Sequence, residues 1–307
     1  YFHMRSDFGG PGKTFTDARQ MIVHNGGWVG SHGHMDLLGL NMYAYGRTLL
    51  VDSGGMWEHP DGSPPEYWKS NVHNMLVVRD GDCSRDPGNT RWALSTWFDY
   101  LDGVHHGYKK WNVQDVRRRI IFLKPDYWVI DDSMSNPQNP YQIDLTWNML
   151  GSSVDIHPET QAATTTLPLG GNVTVIPLAN KEVEVHKRPY VAPMDGFVDT
   201  TIVQYRMMSN NPRFTTVVYP FKAEKPNLQV TRITPDANLS DLITGVRIQN
   251  ADAVDAVFWG DTSLGEVSFS EGAHRVNADM AAVRTEGIRS IQSFHLYQGR
   301  RFVFNGI

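Results

Sequence analysis

Helical periodicity is scarce along this chain, whereas short β-branched and aromatic segments bounded by Gly, Pro, Asn and Asp recur every ten to fifteen residues or so, roughly the spacing of a sandwich or barrel. That pattern narrows the fold to an all-β architecture. Strands are expected at 75–79, 91–100, 117–123, 127–131, 142–150, 172–177, 214–220, 245–250, 256–260, 265–270, 281–285, 288–297 and 301–305. Only 241–244 offers a short helix. With 307 residues there is enough chain for a sizeable core. Between 152 and 212 the sequence turns Thr-, Pro- and Asn-rich and its strands weaken, which reads as a crossing between sheets. The expectation is therefore one large antiparallel, multi-sheet β-sandwich region over 1–307, with a sub-boundary near 220–240.

Two hairpins stand out. In GSHGHMDLLGLNMYAYGRTLLVDSG, residues 30–54, Leu38, Leu40, Met42 and Ala44 alternate with their neighbours, Tyr45-Gly46-Arg47 turns, and 48–51 is a second apolar strand. In RRIIFLKPDYWVIDD a Pro-Asp turn joins two long apolar arms, which implies burial on both faces. Trp92, Trp97, Trp128 and Trp147 fall on strands and read as core, while Trp28, Trp57 and Trp68 flank the loops of the first hairpin.

Bulk properties exclude some functions. A net charge of -5 gives no basic footprint for nucleic acid. No apolar run reaches the roughly 18 residues of a spanning helix. The single cysteine, Cys83, rules out an internal disulfide framework. Tyr1-Phe2-His3-Met4 already reads as a strand, with no signal peptide before it, so the chain is expected to begin inside a longer protein.

The chemistry gathers around the first hairpin. His32 and His34 precede its first strand, and a two-residue spacing in extended chain points both rings to one side. Asp52 closes the second strand, and His73 and Asn74 precede the strand at 75–79. Imidazole and carboxylate groups presented from rigid strand ends suit zinc. By spacing alone, His32 and His34 would both be ligands, with Asp52 or His73 completing the set. Asp36 follows closely enough to support a histidine ring by hydrogen bonding. Arg47 and Lys69 are candidates for gripping the oxygens of an anionic ligand, and Trp68 for stacking on a ligand ring. His105, His106 and Tyr108 form a loop before a strand, and His157, His186, His274 and His295 have no partner pattern.

These blocks, followed by YWKSNVHNMLVV, VRRRIIFLKPDYWVIDD and RFTTVVYPF, resemble the carboxy-terminal β-sandwich region of heparinase II/III-like polysaccharide lyases, a group that includes oligo-alginate and heparin or heparan sulfate lyases. The resemblance implies an α/α toroid before the sandwich, absent from this chain, and a periplasmic or secreted location. It implies His34, Asp52 and His73 as zinc ligands. His32 is then left facing the substrate cleft and Tyr67 lies near the active site, with Asn74 as the second residue of the H-N pair. The implied reaction is β-elimination on an acidic polysaccharide: removal of the C5 proton of a uronate and expulsion of the O4-linked sugar. The rival readings are a non-catalytic carbohydrate-binding sandwich and a metallo-β-lactamase-like hydrolase. The latter rests on H-x-H-x-D at His32, His34 and Asp36, but has Leu37 where that family places another histidine.

Overall fold

Buried and part-exposed residues alternate along Leu40–Ala44 and Gln20–Val23, as a half-buried pleated strand requires. A computed structural model describes the chain apart from residues 28–32, 53–65, 136–137, 179–182, 195, 237–238, 240–241, 251–252, 270–271, 287–289 and 305–307. It divides into two units, Tyr1–Lys225 and Pro226–Ile307.

The first unit holds two eight-stranded antiparallel sheets. One runs in the order Phe2–Arg5, Gln20–Val23, Leu40–Ala44, Arg47–Leu50, Tyr141–Leu150, Gly196–Ser209, Glu184–Met194, and Leu76–Val78 also pairs with Tyr141–Leu150. The other runs Val154–Ile156, Ala163–Thr165, Asn172–Pro177, Arg213–Phe221, Tyr127–Ser135, Asp115–Leu123, Phe98–His105, Pro87–Leu94. Their inner faces make one core, in which Met21, Met42, Leu49 and Trp147 pack with Leu101, Phe122, Trp128 and Val218. Trp128 stacks on Phe122 with centroids 4.2 Å apart, an arrangement that adds about 1 kcal/mol to simple burial. This is the expected all-β sandwich.

The second unit repeats the plan at smaller scale. Its five-stranded sheet comprises Gln229–Ile233, Thr244–Gln249, Ala253–Trp259, Met280–Glu286 and Ser290–Tyr297, and its three-stranded sheet Val267–Phe269, His274–Asn277 and Arg301–Val303. Ile233, Phe258 and Val283 from the first pack with Phe269 and Val276 from the second.

Several expectations need correction. The strand expected at 91–100 is two strands, Pro87–Leu94 and Phe98–His105, joined where the Ser95 hydroxyl accepts from the Trp97 and Phe98 amides. Trp92 and Trp97 therefore lie on an edge strand and in a turn, 57% and 61% exposed, and are not core, whereas Trp128 and Trp147 are fully buried. The supposedly weak stretch contains Glu184–Met194 and Gly196–Ser209, paired along their whole length. Glu184–Met194 is a sheet edge, where polar residues and Pro189 are tolerated because outward backbone groups meet no partner strand. Helices among the described residues are only short 3-10 turns, and no described helix is long and apolar enough to cross a membrane. The strand-helix alternation of a metallo-β-lactamase-like hydrolase is not found among them.

Two features of the first unit position the site. Arg47–Leu50 and Leu76–Val78 both run antiparallel to Tyr141–Leu150, with Leu50 opposite Met149 and Leu76 opposite Leu145. The chain leaving the first and the chain entering the second therefore meet beside Asn148. In the other sheet, register sets Arg118 opposite Asp132 and Arg119 opposite Asp131, and neighbours in a strand face opposite sides. Burial works against the Asp131 carboxylate, but Arg213 and Arg119 hold its pKa down at about 2. Arg118 points the other way, toward the site.

Candidate functional site

His34 and Asp36 sit on a tight turn that ends at the strand Leu40–Ala44. The Gly39 amide donates to the Asp36 carbonyl at 2.7 Å, and a Cβ on Gly39 would stand 2.6 Å from that oxygen, so the turn needs glycine. Leu38 takes a positive φ of 60°, a conformation that costs an L residue about 1–2 kcal/mol. Its neighbours hold it there: the Leu38 amide donates to the His24 carbonyl at 2.6 Å, and its carbonyl accepts from Arg118 Nη1 at 2.7 Å. The first strand accordingly starts at Leu40 and not at Leu38, while the Tyr45-Gly46 turn appears as expected, with positive φ at both residues.

His73 follows a 3-10 turn, Ser70–Val72, and is fully buried. The Ser70 hydroxyl donates to the Met35 carbonyl at 2.5 Å and the Met35 amide to the Trp68 carbonyl at 2.9 Å, so the loop carrying Tyr67 is stitched to the one carrying His34. Asn74 joins the rest. Its amide donates to the carbonyls of Leu40 at 2.8 Å and Val51 at 2.9 Å, and its oxygen accepts from the Asn148 amide at 2.6 Å. Asn74→Asp keeps the shape but can donate to at most one of the two carbonyls, and only when protonated; it should lower unfolding stability by about 3 kcal/mol, as orphaned buried groups do. Urea denaturation checks this, and a loss under about 1 kcal/mol would contradict the clamp.

Donor atoms of His34, Asp36 and His73 all lie within 4.8 Å of one another. Asp52 Oδ1 touches His73 Nδ1 at 2.6 Å. The two imidazoles and the Asp36 carboxylate form a donor set that zinc accepts, while Asp52 holds the other nitrogen of the His73 ring. The buried Nε2 of His73 has no hydrogen-bond partner among the described residues, which is what a metal-facing atom requires. The Tyr67 carbonyl lies near enough to His73 to favour its charged form without making a hydrogen bond to Nε2. Burial, and secondarily His73, lowers the pKa of His34 and so favours the neutral ring that can bind a metal. For His73 burial pulls downward as well, but the adjacent Asp52 turns the net shift upward. Asp36 is desolvated, yet contact with His24 leaves its carboxyl below the usual range.

The expected residues fall into place unevenly. His34, Asp36, Asp52, His73 and Asn74 converge. Asp36, expected as support, stands inside the cluster, and Asp52 stands on the His73 ring. Tyr67 borders it, 5.5 Å from His34 between ring centroids. Trp68 is 39% exposed and Lys69 pairs with Glu66 at 2.9 Å. Arg47 begins the strand that leads to Asp52, five residues or roughly 16 Å away along extended chain, and bonds the Pro168 carbonyl. His32, Trp28 and Trp57 lie outside the described residues. His105, expected in a loop, is the buried last residue of the strand Phe98–His105. His24 and Arg118 were not among the expected site residues. For His24 the sequence carries no signal, because its nearness to Asp36 comes from Gln20–Val23 pairing with Leu40–Ala44; for Arg118 the signal is a basic residue leading a long apolar run.

A family model described as heparinase II/III-like, C-terminal, matches residues 1–231. The chain belongs to the heparinase II/III-like family. Among solved structures, this heparinase II/III-like chain is similar to a heparinase III gene product, with a TM-score of 0.66 at 18% identity over 93% of this chain and 41% of that one. It is also similar to heparan sulfate lyase HepC from Pedobacter heparinus, with a TM-score of 0.65 at 14% identity over 76% of this chain and 38% of that one. A further heparinase III matches at a TM-score of 0.66 and 17% identity, over 81% and 40%. At such identities the likeness is one of fold. The chain spans about two fifths of those structures' length. Among curated proteins, none matches the sequence.

Proposed function

We propose that this chain is the zinc-bearing part of a polysaccharide lyase that cleaves a uronic-acid-containing polysaccharide, alginate or a glycosaminoglycan, by β-elimination. The observation that carries the reading is the meeting of His34, Asp36, Asp52 and His73 beside Asn148, in a chain of the heparinase II/III-like family. The names of the similar structures, heparinase III and heparan sulfate lyase, support an acidic polysaccharide as substrate.

His34, Asp52 and His73 would hold the zinc, with Asp36 in reach. When bound, the metal supplies mainly structural cross-linking of the loops. The C5 proton of a uronate is too weak an acid to leave unless the neighbouring carboxylate charge is neutralised, so the reaction needs a donor there, a base and an acid. His32 would donate to that carboxylate or take the proton. Tyr67, on the rim of the cluster, would line the leaving-group side. Further catalytic groups would come from a toroid domain of the same protein, and Trp68 and Lys69 would contact neighbouring sugars. A periplasmic or secreted location fits polymer degradation.

The test is a panel of alginate, heparan sulfate, chondroitin and hyaluronan incubated with the full-length protein. The expected result is ultraviolet absorbance from the unsaturated uronate product on at least one of them. Binding without any such absorbance would favour the carbohydrate-binding sandwich and end the lyase reading.

A further inference from the structure

We propose that His24 is a positioning residue of the metal cluster and acts through Asp36. The proposal rests on the zinc reading above and adds to it a residue outside both the H-G-H-x-D block and the H-N pair.

His24 Nδ1 stands 3.1 Å from Asp36 Oδ1. Both atoms are buried and make no other hydrogen bond among the described residues, so their contact with each other is what offsets the desolvation of each. The distance is set by the backbone. The His24 amide donates to the Gly39 carbonyl at 2.9 Å and the His24 carbonyl accepts from the Leu38 amide at 2.6 Å, which zips residue 24 to the turn carrying Asp36. The ring is held as well: Tyr1 stacks on it at 4.8 Å with planes 25° apart. Asp36 in turn brings a donor atom within 4.8 Å of those of His34 and His73. A rigid imidazole thus fixes a carboxylate whose reach covers the cluster, the arrangement by which outer groups orient the groups around a metal. A surface ion pair would have neither the burial nor the double backbone zip.

Zinc affinity of the full-length protein, measured by competition with a chromogenic chelator, tests this. His24→Ala should weaken zinc by about tenfold or more, the usual effect of losing such a partner. His24→Asn, whose side-chain nitrogen branches from the same carbon position as Nδ1, should recover most of that loss. His24→Phe keeps the stack on Tyr1 while removing the nitrogen, and should behave like His24→Ala; it also serves if the alanine variant does not fold. An affinity within about twofold of wild type for His24→Ala or His24→Phe, with zinc still lost in His34→Ala, would overturn the role of His24 and leave the zinc reading intact. So would an Asn variant no better than Ala. A wild-type protein that takes up no zinc would instead defeat the zinc reading, and this proposal with it.

Discussion

Arg118→Met is expected to lower the unfolding stability of the first unit by about 3–5 kcal/mol, the cost of breaking a buried ion pair from one side. Arg118 and Asp132 are each 1% exposed and bonded through Nε at 2.6 Å. The same guanidinium donates through Nη1 to the carbonyls of Leu38 and Asn74, both at 2.7 Å. Methionine fills the space and serves none of them. Burial pushes the pKa of Asp132 up while Arg118 opposes it, so the variant's orphaned carboxyl would take up a proton and still lack a donor for its other oxygen. A domain stable by about 5–15 kcal/mol cannot absorb such a loss without a large shift in its denaturation midpoint. Adding Asp132→Leu should return only part of the stability, because the two carbonyls stay bare. A lysine at 118 should fare little better, since one ammonium cannot reproduce the fork. If Arg118→Met unfolded within about 1 kcal/mol of wild type, the carbonyls would have to be satisfied another way.

His34→Ala and His73→Ala are each expected to reduce bound zinc from about one ion per chain to nearly none, and Asp52→Ala to do the same, while His32→Ala keeps its metal. Removing an imidazole from a buried site deletes a metal bond that water replaces poorly. Asp52 touches Nδ1 of His73, so its loss frees the ring as well as deleting a carboxylate. Metal content of the purified variants, measured by atomic emission, decides the matter. Equal loss in all four variants would put His32 among the ligands, the donor set that spacing alone permits. Retention in Asp52→Ala together with loss in Asp36→Ala would move the carboxylate ligand to Asp36.

Strand content and the two hairpins were legible in the sequence because period-two alternation and Gly or Pro-Asp turns are local signals. The apolar arms around Lys124-Pro125-Asp126 even contained their own ion pairs, since a tight hairpin fixes register and so sets Arg118 against Asp132. Glu184–Met194 and Gly196–Ser209 were harder to read. They draw their stability from pairing with each other and with Tyr141–Leu150, and the outer one carries edge-strand composition. Trp92 and Trp97 misled because aromatic residues mark strands whether or not those strands are covered. In the site, strand ends drew attention to His32, His34, Asp52 and His73, and it was the family resemblance that selected His34, Asp52 and His73 among them. The contact of His24 with Asp36 could not, since it depends on sheet order: the strand ending at Val23 lies beside the one beginning at Leu40, and only that adjacency brings the two residues together.

The two bonds that stitch Met35 to Trp68 and Ser70 make a thermodynamic couple of the site. A ligand gripping Tyr67 or Trp68 and a metal gripping His34 would act on one continuous piece of chain. Whatever factor the metal adds to saccharide affinity, the saccharide must add to metal affinity. If zinc and polysaccharide bind as proposed, chelation would register as a change in polysaccharide binding, and saturating polysaccharide would slow the loss of metal to a chelator.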